Sequence, residues 1–174
     1  MATIPLHDGP SAGFDAPFEM LEACHGRVER MLSLLERLRS HLEQRGGAVD
    51  DQARQAARDV MRYFDLAAPN HHEDEERHVF PALREQGEAV LADRLQAEHA
   101  EMAAAWSALK PTLAALADGR WDAAVAPQWE AFVAMYRRHV ADEDDRAYPA
   151  AAAAIDDRCL VRMAEEMAHR RGLR

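Results

Sequence analysis

Two short stretches of the chain repeat one spacing of histidine, glutamate and proline. Residues 71–81 read HHEDEERHVFP and residues 139–149 read HVADEDDRAYP. The repeated positions are His71, Glu75 and Pro81 in the first stretch and His139, Glu143 and Pro149 in the second. On a helix, residues four apart lie about 40° apart in projection and one turn apart along the axis. A His and a Glu so placed can reach the same metal ion, or the Glu can bridge two ions.

The elements that must position these residues are predicted to be helical. Apolar residues recur at spacings of three and four, and we find no sustained alternation typical of strands. The predicted helices cover about 18–44, 50–85, 88–117, 121–147 and 156–171. Gly46-Gly47 is predicted to end the first helix, and Pro69 to kink or briefly break the second. We predict an all-α fold: an up-down-up-down four-helix bundle with a short extra C-terminal helix.

The apolar stripes of the four long helices each include a histidine. His25, His71, His99 and His139 fall on these stripes, and Glu75 and Glu143 continue two of them. A single inward histidine is usually a core residue whose ring nitrogens are hydrogen-bonded. Four helices that each supply one favour a metal site. Buried carboxylates are costly unless they are paired or bind a metal. Imidazole with carboxylate suits iron, manganese or zinc better than calcium or magnesium.

The other polar residues are predicted to assist the site, to pack in the core or to lie on the surface. His72 lies about 100° round the helix from His71, so it could join a fan of ligands aimed at two ions. His78 is interpreted as a supporting or surface residue, and Cys24 as a small core residue. Five acids are predicted to form a solvated face: Glu73, Asp74, Asp142, Asp144 and Asp145. We predict that His7, His41 and His169 lie on the surface.

Composition limits the class of protein. The 174 residues suit one domain, with an extended arm predicted at 1–15 and the helical domain at 16–174. The net charge of −10 disfavours nucleic acids and anionic membranes as partners. No apolar run suits a membrane span, and no signal peptide is evident. Cys24 and Cys159 form no disulfide framework, so we expect reduced thiols and a cytoplasmic location.

The motif order resembles the hemerythrin-like, or HHE cation-binding, family over residues 18–150. The family pattern matches His25; His71 and Glu75 with Val79, Phe80 and Pro81; His99; and His139 and Glu143 with Tyr148 and Pro149. The resemblance implies a four-helix bundle with a non-haem di-iron centre that has bridging carboxylates and terminal histidines. The shared distance to the proline favours the His71/Glu75 register, and His72/Glu76 remains the minority register.

The third helix departs from the oxygen-carrying members of that family. Those members have a second His four residues from the first, whereas Leu95 and Ala103 flank His99 here. His72 could supply the missing imidazole. Without it, one iron would have an extra open position, which favours reactivity over simple oxygen carriage.

These residues support three functional hypotheses. The favoured one is a di-iron protein, more a binding protein than an enzyme, that binds O2, NO or peroxide in oxygen or redox sensing, iron handling or stress protection. The second is a di-iron oxidoreductase acting on peroxide or NO. The third is a structural or interaction module in which zinc only holds the bundle together. Zinc or manganese could also replace the iron. The apolar face of the last helix could serve the core or a homodimer.

Overall fold

The computed structural model describes residues 16–173, and all regular structure in that part of the chain is helical. The α-helices are α1 (Pro17–Gln44), α2 (Asp51–Asp74), α3 (Phe80–Glu85), α4 (Ala89–Ala117), α5 (Ala126–Asp142), α6 (Tyr148–Ala154) and α7 (Asp157–Arg170). Two π-helical segments, Glu75–Val79 and Glu143–Ala147, join α2 to α3 and α5 to α6. The all-α prediction is confirmed for the described residues, and the predicted arm at 1–15 lies outside them.

Local sequence signals explain where the helices begin and end. The side chain of Asp50 accepts a hydrogen bond from the backbone N–H of Ala53 at the start of α2. Asp156 caps α7 in the same way through Cys159. Gly46 and Gly47 have φ values of 61° and 86°, and the backbone N–H of Gly47 bonds to Leu42 O at 2.8 Å. The glycine pair therefore ends α1, as predicted.

The second and fourth predicted helices differ from the structure in detail. α2 continues through Pro69 without a break, and the irregularity comes later, in the segment Glu75–Val79. The fourth begins with a short 3-10 turn, Ala123–Val125, which Asp122 caps, so α5 starts only at Ala126. The helix predicted at 121–147 therefore begins later than expected.

The long helices pack side by side around two apolar clusters. α1 contacts α2 and α5, and α4 also contacts both α2 and α5. The first cluster includes Leu35, Phe64 and Phe132, and the second includes Leu21 and Phe80. Along α1 and α4, and along α2 and α5 with the segments that follow them, the buried polar residues lie in sequence between members of the two clusters. A polar layer thus separates the two apolar halves of the core.

The short helix α7 is anchored to this layer by a buried ion pair. Asp74, at the end of α2, is completely buried and binds the guanidinium groups of Arg170 and Arg171. The prediction that Asp74 is solvated was wrong, because the arginines that cover it lie almost 100 residues later in the chain. Met163 and Met167 are buried in the second apolar cluster, so these two residues of the α7 apolar face serve the core.

None of the helices within residues 16–173 is both long enough and apolar enough to cross a membrane.

Candidate metal centre

Two groups of metal-binding side chains converge inside the polar layer. The first consists of His25, His71, Glu75 and Glu143, and the second of His99, His139 and Glu143. Within each group, one ligand atom from every residue lies within 4.8 Å of the others. All six residues are buried. Glu143 belongs to both groups, so the two groups adjoin.

The carboxylate of Glu75 faces histidines of both groups. Its Oε1 atom lies 3.3 Å from His71 Nε2 and 3.7 Å from His25 Nε2. Its Oε2 atom lies 3.4 Å from His99 Nε2. The two oxygens of one carboxylate are therefore divided between the two sets of imidazoles.

Glu143 divides its oxygens in the same way. Its Oε2 atom lies 3.2 Å from His25 Nε2, whereas its Oε1 atom lies 3.0 Å from His139 Nε2 and 3.8 Å from His99 Nε2. Two carboxylates thus lie side by side between two imidazole pairs. This arrangement suits two cations, each bound by two imidazoles and one oxygen from each carboxylate.

Several buried polar atoms of this layer lack hydrogen bonds within the described chain. They are both ring nitrogens of His71, Oε2 of Glu75 and both carboxylate oxygens of Glu143. Their short contacts with neighbouring imidazoles lack hydrogen-bond geometry. Leaving a buried polar atom unpaired costs about 1–3 kcal/mol, and more if it is charged. Lone pairs that converge without hydrogen bonding fit a site that binds metal ions.

Three of the four histidines are oriented by a carboxylate on the outer side of the ring. His25 Nδ1 donates to Asp144 at 2.7 Å, His99 Nδ1 to Glu76 at 2.9 Å and His139 Nδ1 to Glu98 at 2.7 Å. A proton on Nδ1 leaves Nε2 with a free lone pair, which is the usual state of a metal-bound histidine with a carboxylate partner. The three carboxylates therefore direct Nε2 towards the centre.

Each of these three outer carboxylates is next in sequence to a residue that faces the centre. Each binds the histidine of an adjacent helical stretch. Glu76 follows Glu75, Glu98 precedes His99, and Asp144 follows Glu143. None of the three roles was predicted from the sequence, which indicated only a solvated face for Asp144. The only signal was an acid next to each inward position, and it becomes informative once the lateral order of the helices is known.

His71 has a different neighbour. The thiol of Cys24, which precedes His25 on α1, lies beside the His71 ring and accepts a hydrogen bond from Arg27 Nη2 at 2.8 Å. Burial raises the pKa of Cys24, but the adjacent His71 and Arg27 outweigh burial and lower it. Cys24 also packs in the second apolar cluster, as the core interpretation predicted.

The contact between two imidazoles also indicates a place for a positive charge. Nε2 of His99 lies 3.1 Å from Nε2 of His139. Because Nδ1 of each ring donates to a carboxylate, both Nε2 atoms would present lone pairs to each other. A cation or a proton at this point removes the repulsion.

The pKa values of the buried histidines also indicate that the polar layer accommodates positive charge. Burial lowers the pKa of His25, but contacts with Asp144, Glu143 and Glu75 outweigh it and raise the pKa to about 12. Burial likewise lowers the pKa of His99, and Glu143 and Glu75 raise it to about 10. Without a metal, protons on these imidazoles balance the buried carboxylates. Metal binding would displace such protons.

The π-helical segments place the glutamates and the residues beyond them. Because Pro81 and Pro149 have no N–H, neither can donate to the carbonyl four residues earlier, and their rings crowd that carbonyl. The preceding residues bond five residues back instead: Phe80 N–H to Glu75 O and Tyr148 N–H to Glu143 O. Such bulges often occur at functional sites. The repeated spacing from glutamate to proline therefore coincides, in both stretches, with a change from α-helical to π-helical backbone hydrogen bonding.

From the sequence, Tyr148 was matched to the family pattern only as the neighbour of Pro149, with no role at the centre. Its hydroxyl donates to Glu75 Oε1 and lies 3.0 Å from His25 Nε2. Its ring stacks on the His25 ring, with centroids 5.0 Å apart and an interplanar angle of 10°. A tyrosine oxygen therefore lies among the donor atoms of the first group.

His72 lies near the centre but belongs to neither converging group. Its ring stacks on that of His99, with centroids 4.0 Å apart and an interplanar angle of 10°. Burial and the neighbouring His99 hold the pKa of His72 well below its usual value. His78 binds Glu166 of α7 at 2.8 Å, away from both groups. A ligand role for His72 stays a prediction.

Comparison with known proteins identifies the family. The hemerythrin HHE cation-binding domain matches residues 16–151. The chain belongs to the hemerythrin HHE cation-binding family. A relative in Haemophilus influenzae, an uncharacterised protein, is 34% identical over 137 residues, which are 76% of this chain and 77% of the relative. Membership of the HHE family and the buried His/Glu groups together support metal binding.

Proposed function

We propose that this HHE domain holds two non-haem iron ions and binds O2, or a related small ligand such as NO or peroxide. In this proposal His25 and His71 hold one ion, His99 and His139 hold the other, and Glu75 and Glu143 bridge them. The observation that carries the proposal is that each carboxylate directs its two oxygens to different imidazole pairs.

The number of converging donors favours iron over a structural zinc. A closed zinc site usually takes four ligands, and six converging side chains exceed that need. Manganese has similar ligand preferences and is the second candidate.

The surroundings of the centre suit a small ligand. Two imidazoles and two carboxylate oxygens per ion leave positions free in a six-coordinate site. A hollow of about 190 Å³ between α1 and α5 reaches the outer side of His25, and apolar residues line it together with the charged Glu29, Arg137 and Asp144. Such an ion supplies a redox-active Lewis acid, while the protein orients the ligand and excludes water. Oxygen or redox sensing, iron handling and stress protection all use this chemistry.

The order of the apolar clusters supports the finer fold prediction. Along α1 the second cluster precedes the polar residues and the first follows, whereas along α2 the order is reversed. The order reverses again in α4 and again in α5. We therefore propose that the four long stretches alternate in direction, as in an up-down-up-down bundle. A cytoplasmic location and a lack of nucleic-acid or membrane partners belong to the same proposal.

The test is the reaction of the ferrous protein with small ligands. Protein reconstituted with Fe(II) without oxygen is mixed with O2, NO or peroxide, and its absorption spectrum is followed. We expect a stable complex formed in proportion to the protein. Glu143→Gln is expected to abolish it, and Asp145→Asn, an exposed neighbour, is the matched control. Continuous consumption of peroxide or NO with an added reductant would favour the oxidoreductase alternative, and no reaction at all would contradict the proposal.

A further inference from the structure

The hydroxyl oxygen of Tyr148 lies among the donor atoms of the first group, in contact with His25 and Glu75. The side chain is 3% exposed, and its ring stacks on His25. Asp144 accepts a hydrogen bond from His25 Nδ1, so Nε2 is the ring nitrogen that faces the centre. The Tyr148 hydroxyl lies 3.0 Å from that Nε2 atom, closer than Oε2 of Glu143 at 3.2 Å.

The distance is that of a hydrogen bond, and it also allows this oxygen and His25 Nε2 to bind the same ion. Donors in adjacent positions of an octahedral ion lie about 3.0 Å apart when each bond is about 2.1 Å. The separation between Tyr148 Oη and His25 Nε2 equals that value. The same hydroxyl contacts Glu75 Oε1, which is itself 3.7 Å from His25 Nε2. Tyrosine oxygen, imidazole and carboxylate thus meet around one point.

We propose that Tyr148 is a further ligand of the ion held by His25 and His71. This inference rests on the proposed di-iron centre and adds a phenolate to it. On metal binding, the O–H bond of Tyr148 breaks, the proton passes to solvent, and the oxygen donates an electron pair to the ion. No electron is transferred, so the oxidation state of the iron is unchanged. Glu75 then loses its hydrogen bond from Tyr148 and keeps both oxygens for the two ions.

A phenolate bound to ferric iron gives a direct optical signature. It produces an intense visible charge-transfer band, and excitation into that band enhances tyrosine ring vibrations in the Raman spectrum. A tyrosine that only donates a hydrogen bond to Glu75 gives neither signal. The sequence has three tyrosines, Tyr63, Tyr136 and Tyr148, so single substitutions to Phe can assign the band.

The experiment uses the whole chain, loaded with Fe(II) without oxygen and then oxidised to Fe(III) by exposure to air. We expect the visible band and the tyrosine vibrations in the wild type, in Tyr63→Phe and in Tyr136→Phe. Tyr136 is the matched control, because it is also buried near the centre, with its ring 6.1 Å from that of His72. Tyr148→Phe is expected to retain iron and lose both signals. If that variant does not fold, the wild type and the other two variants still assign the band by elimination.

The outcomes separate this inference from the proposed function. Two irons per chain without tyrosine vibrations in the wild type would overturn the Tyr148 ligand and leave the di-iron centre intact. Retention of the band in Tyr148→Phe would overturn the inference in the same way. Failure of the wild type to bind iron would overturn both proposals.

Discussion

At the scale of single residues, the centre depends on acids that do not themselves point into it. Glu98 holds the Nδ1 proton of His139 at 2.7 Å and is 20% exposed, so it joins the buried ring to the surface. Such partners fix the tautomer and the orientation of a metal-binding imidazole. They explain how three histidines on three helical stretches all present Nε2 to one small volume.

Replacement of Glu98 by Gln tests this role. The amide can still accept a hydrogen bond from His139, but it removes the negative charge that stabilises the Nδ1 proton and strengthens the imidazole as a donor. We expect iron affinity to fall about 10–100-fold, measured by competition with a chelator. Glu101→Gln, an exposed site on the same helix, is the control and should leave affinity unchanged. Equal affinities for Glu98→Gln and the wild type would contradict the role.

The inward residues could be predicted from the sequence, whereas their outer partners could not. His71 and Glu75 are four apart on an apolar stripe, and a helical period alone directs both inwards. Glu76, by contrast, is a charged neighbour on the outer side of its helix, and nothing local distinguishes it from a solvated acid. Its role depends on the packing of α4, which brings His99 Nδ1 to 2.9 Å from Glu76 Oε1. The sequence around Glu76 does not show this tertiary contact.

At the scale of secondary-structure elements, the π-helical segments set the direction of the residues beyond each glutamate. A π turn adds a residue to the helix, which rotates the subsequent residues by about 100° relative to an uninterrupted α-helix. In the second segment that rotation brings Tyr148 to the centre and leaves Pro149 exposed. The sequence shows the spacing from each glutamate to the proline that follows it. It does not show that the intervening turn is π-helical, because the same spacing also fits an α-helix.

Pro149→Ala tests the cause of the second π segment. Alanine restores an N–H that can bond four residues back, which favours an α-helical turn and shifts Tyr148 out of phase. We expect helix content by circular dichroism to persist while iron affinity falls at least about tenfold, in the range of other supporting changes. Pro127→Ala, an exposed proline in the first turn of α5, should leave iron affinity unchanged. Wild-type affinity in Pro149→Ala would contradict the explanation.

The contact of α7 with the π segment predicts a defined response to acid. Arg170 and His78 hold the pKa of Glu166 down at about 2. Because the pKa is lowered from an unfolded value of about 4.3, the charged group stabilises the fold above that pH. The stabilisation is lost as pH falls from about 4.3 towards 2.

The corresponding measurement is urea unfolding of chelator-treated protein at mildly acidic and strongly acidic pH. Glu166→Gln is expected to be less stable than the wild type at mildly acidic pH, and the difference should shrink as pH falls. Glu165→Gln, an exposed neighbour on α7, is the control. A difference that grows on acidification would contradict the assigned ion pair.

At the scale of the whole molecule, two apolar clusters enclose the polar layer and maintain its geometry. Phe64 is 2% exposed and packs against Trp106, Phe132 and Tyr136, with ring centroids between 5.1 and 5.3 Å away. The apolar periods predicted such inward positions and most helix ends. They could not predict that Asp74 would be buried, because Arg170 and Arg171 reach it from a distant part of the chain.

Phe64→Ala tests whether the first apolar cluster is the core that stabilises the bundle. Loss of a buried aromatic ring is expected to lower the free energy of unfolding by about 3–5 kcal/mol, measured by urea unfolding. Leu66→Ala, on the same helix but with Leu66 63% exposed, should change it by less than about 0.5 kcal/mol. A small effect for Phe64→Ala would contradict the assignment of this cluster as the core.

The central claim is that two bridging carboxylates hold a pair of iron ions, and metal content per chain tests it most directly. Protein purified without an affinity tag or a chelator is reconstituted with Fe(II) without oxygen, and the metal is counted by elemental analysis. We predict two irons per chain in the wild type and in Asp145→Asn, and fewer than one in Glu143→Gln. One zinc per chain, or no metal even after reconstitution, would contradict the di-iron centre.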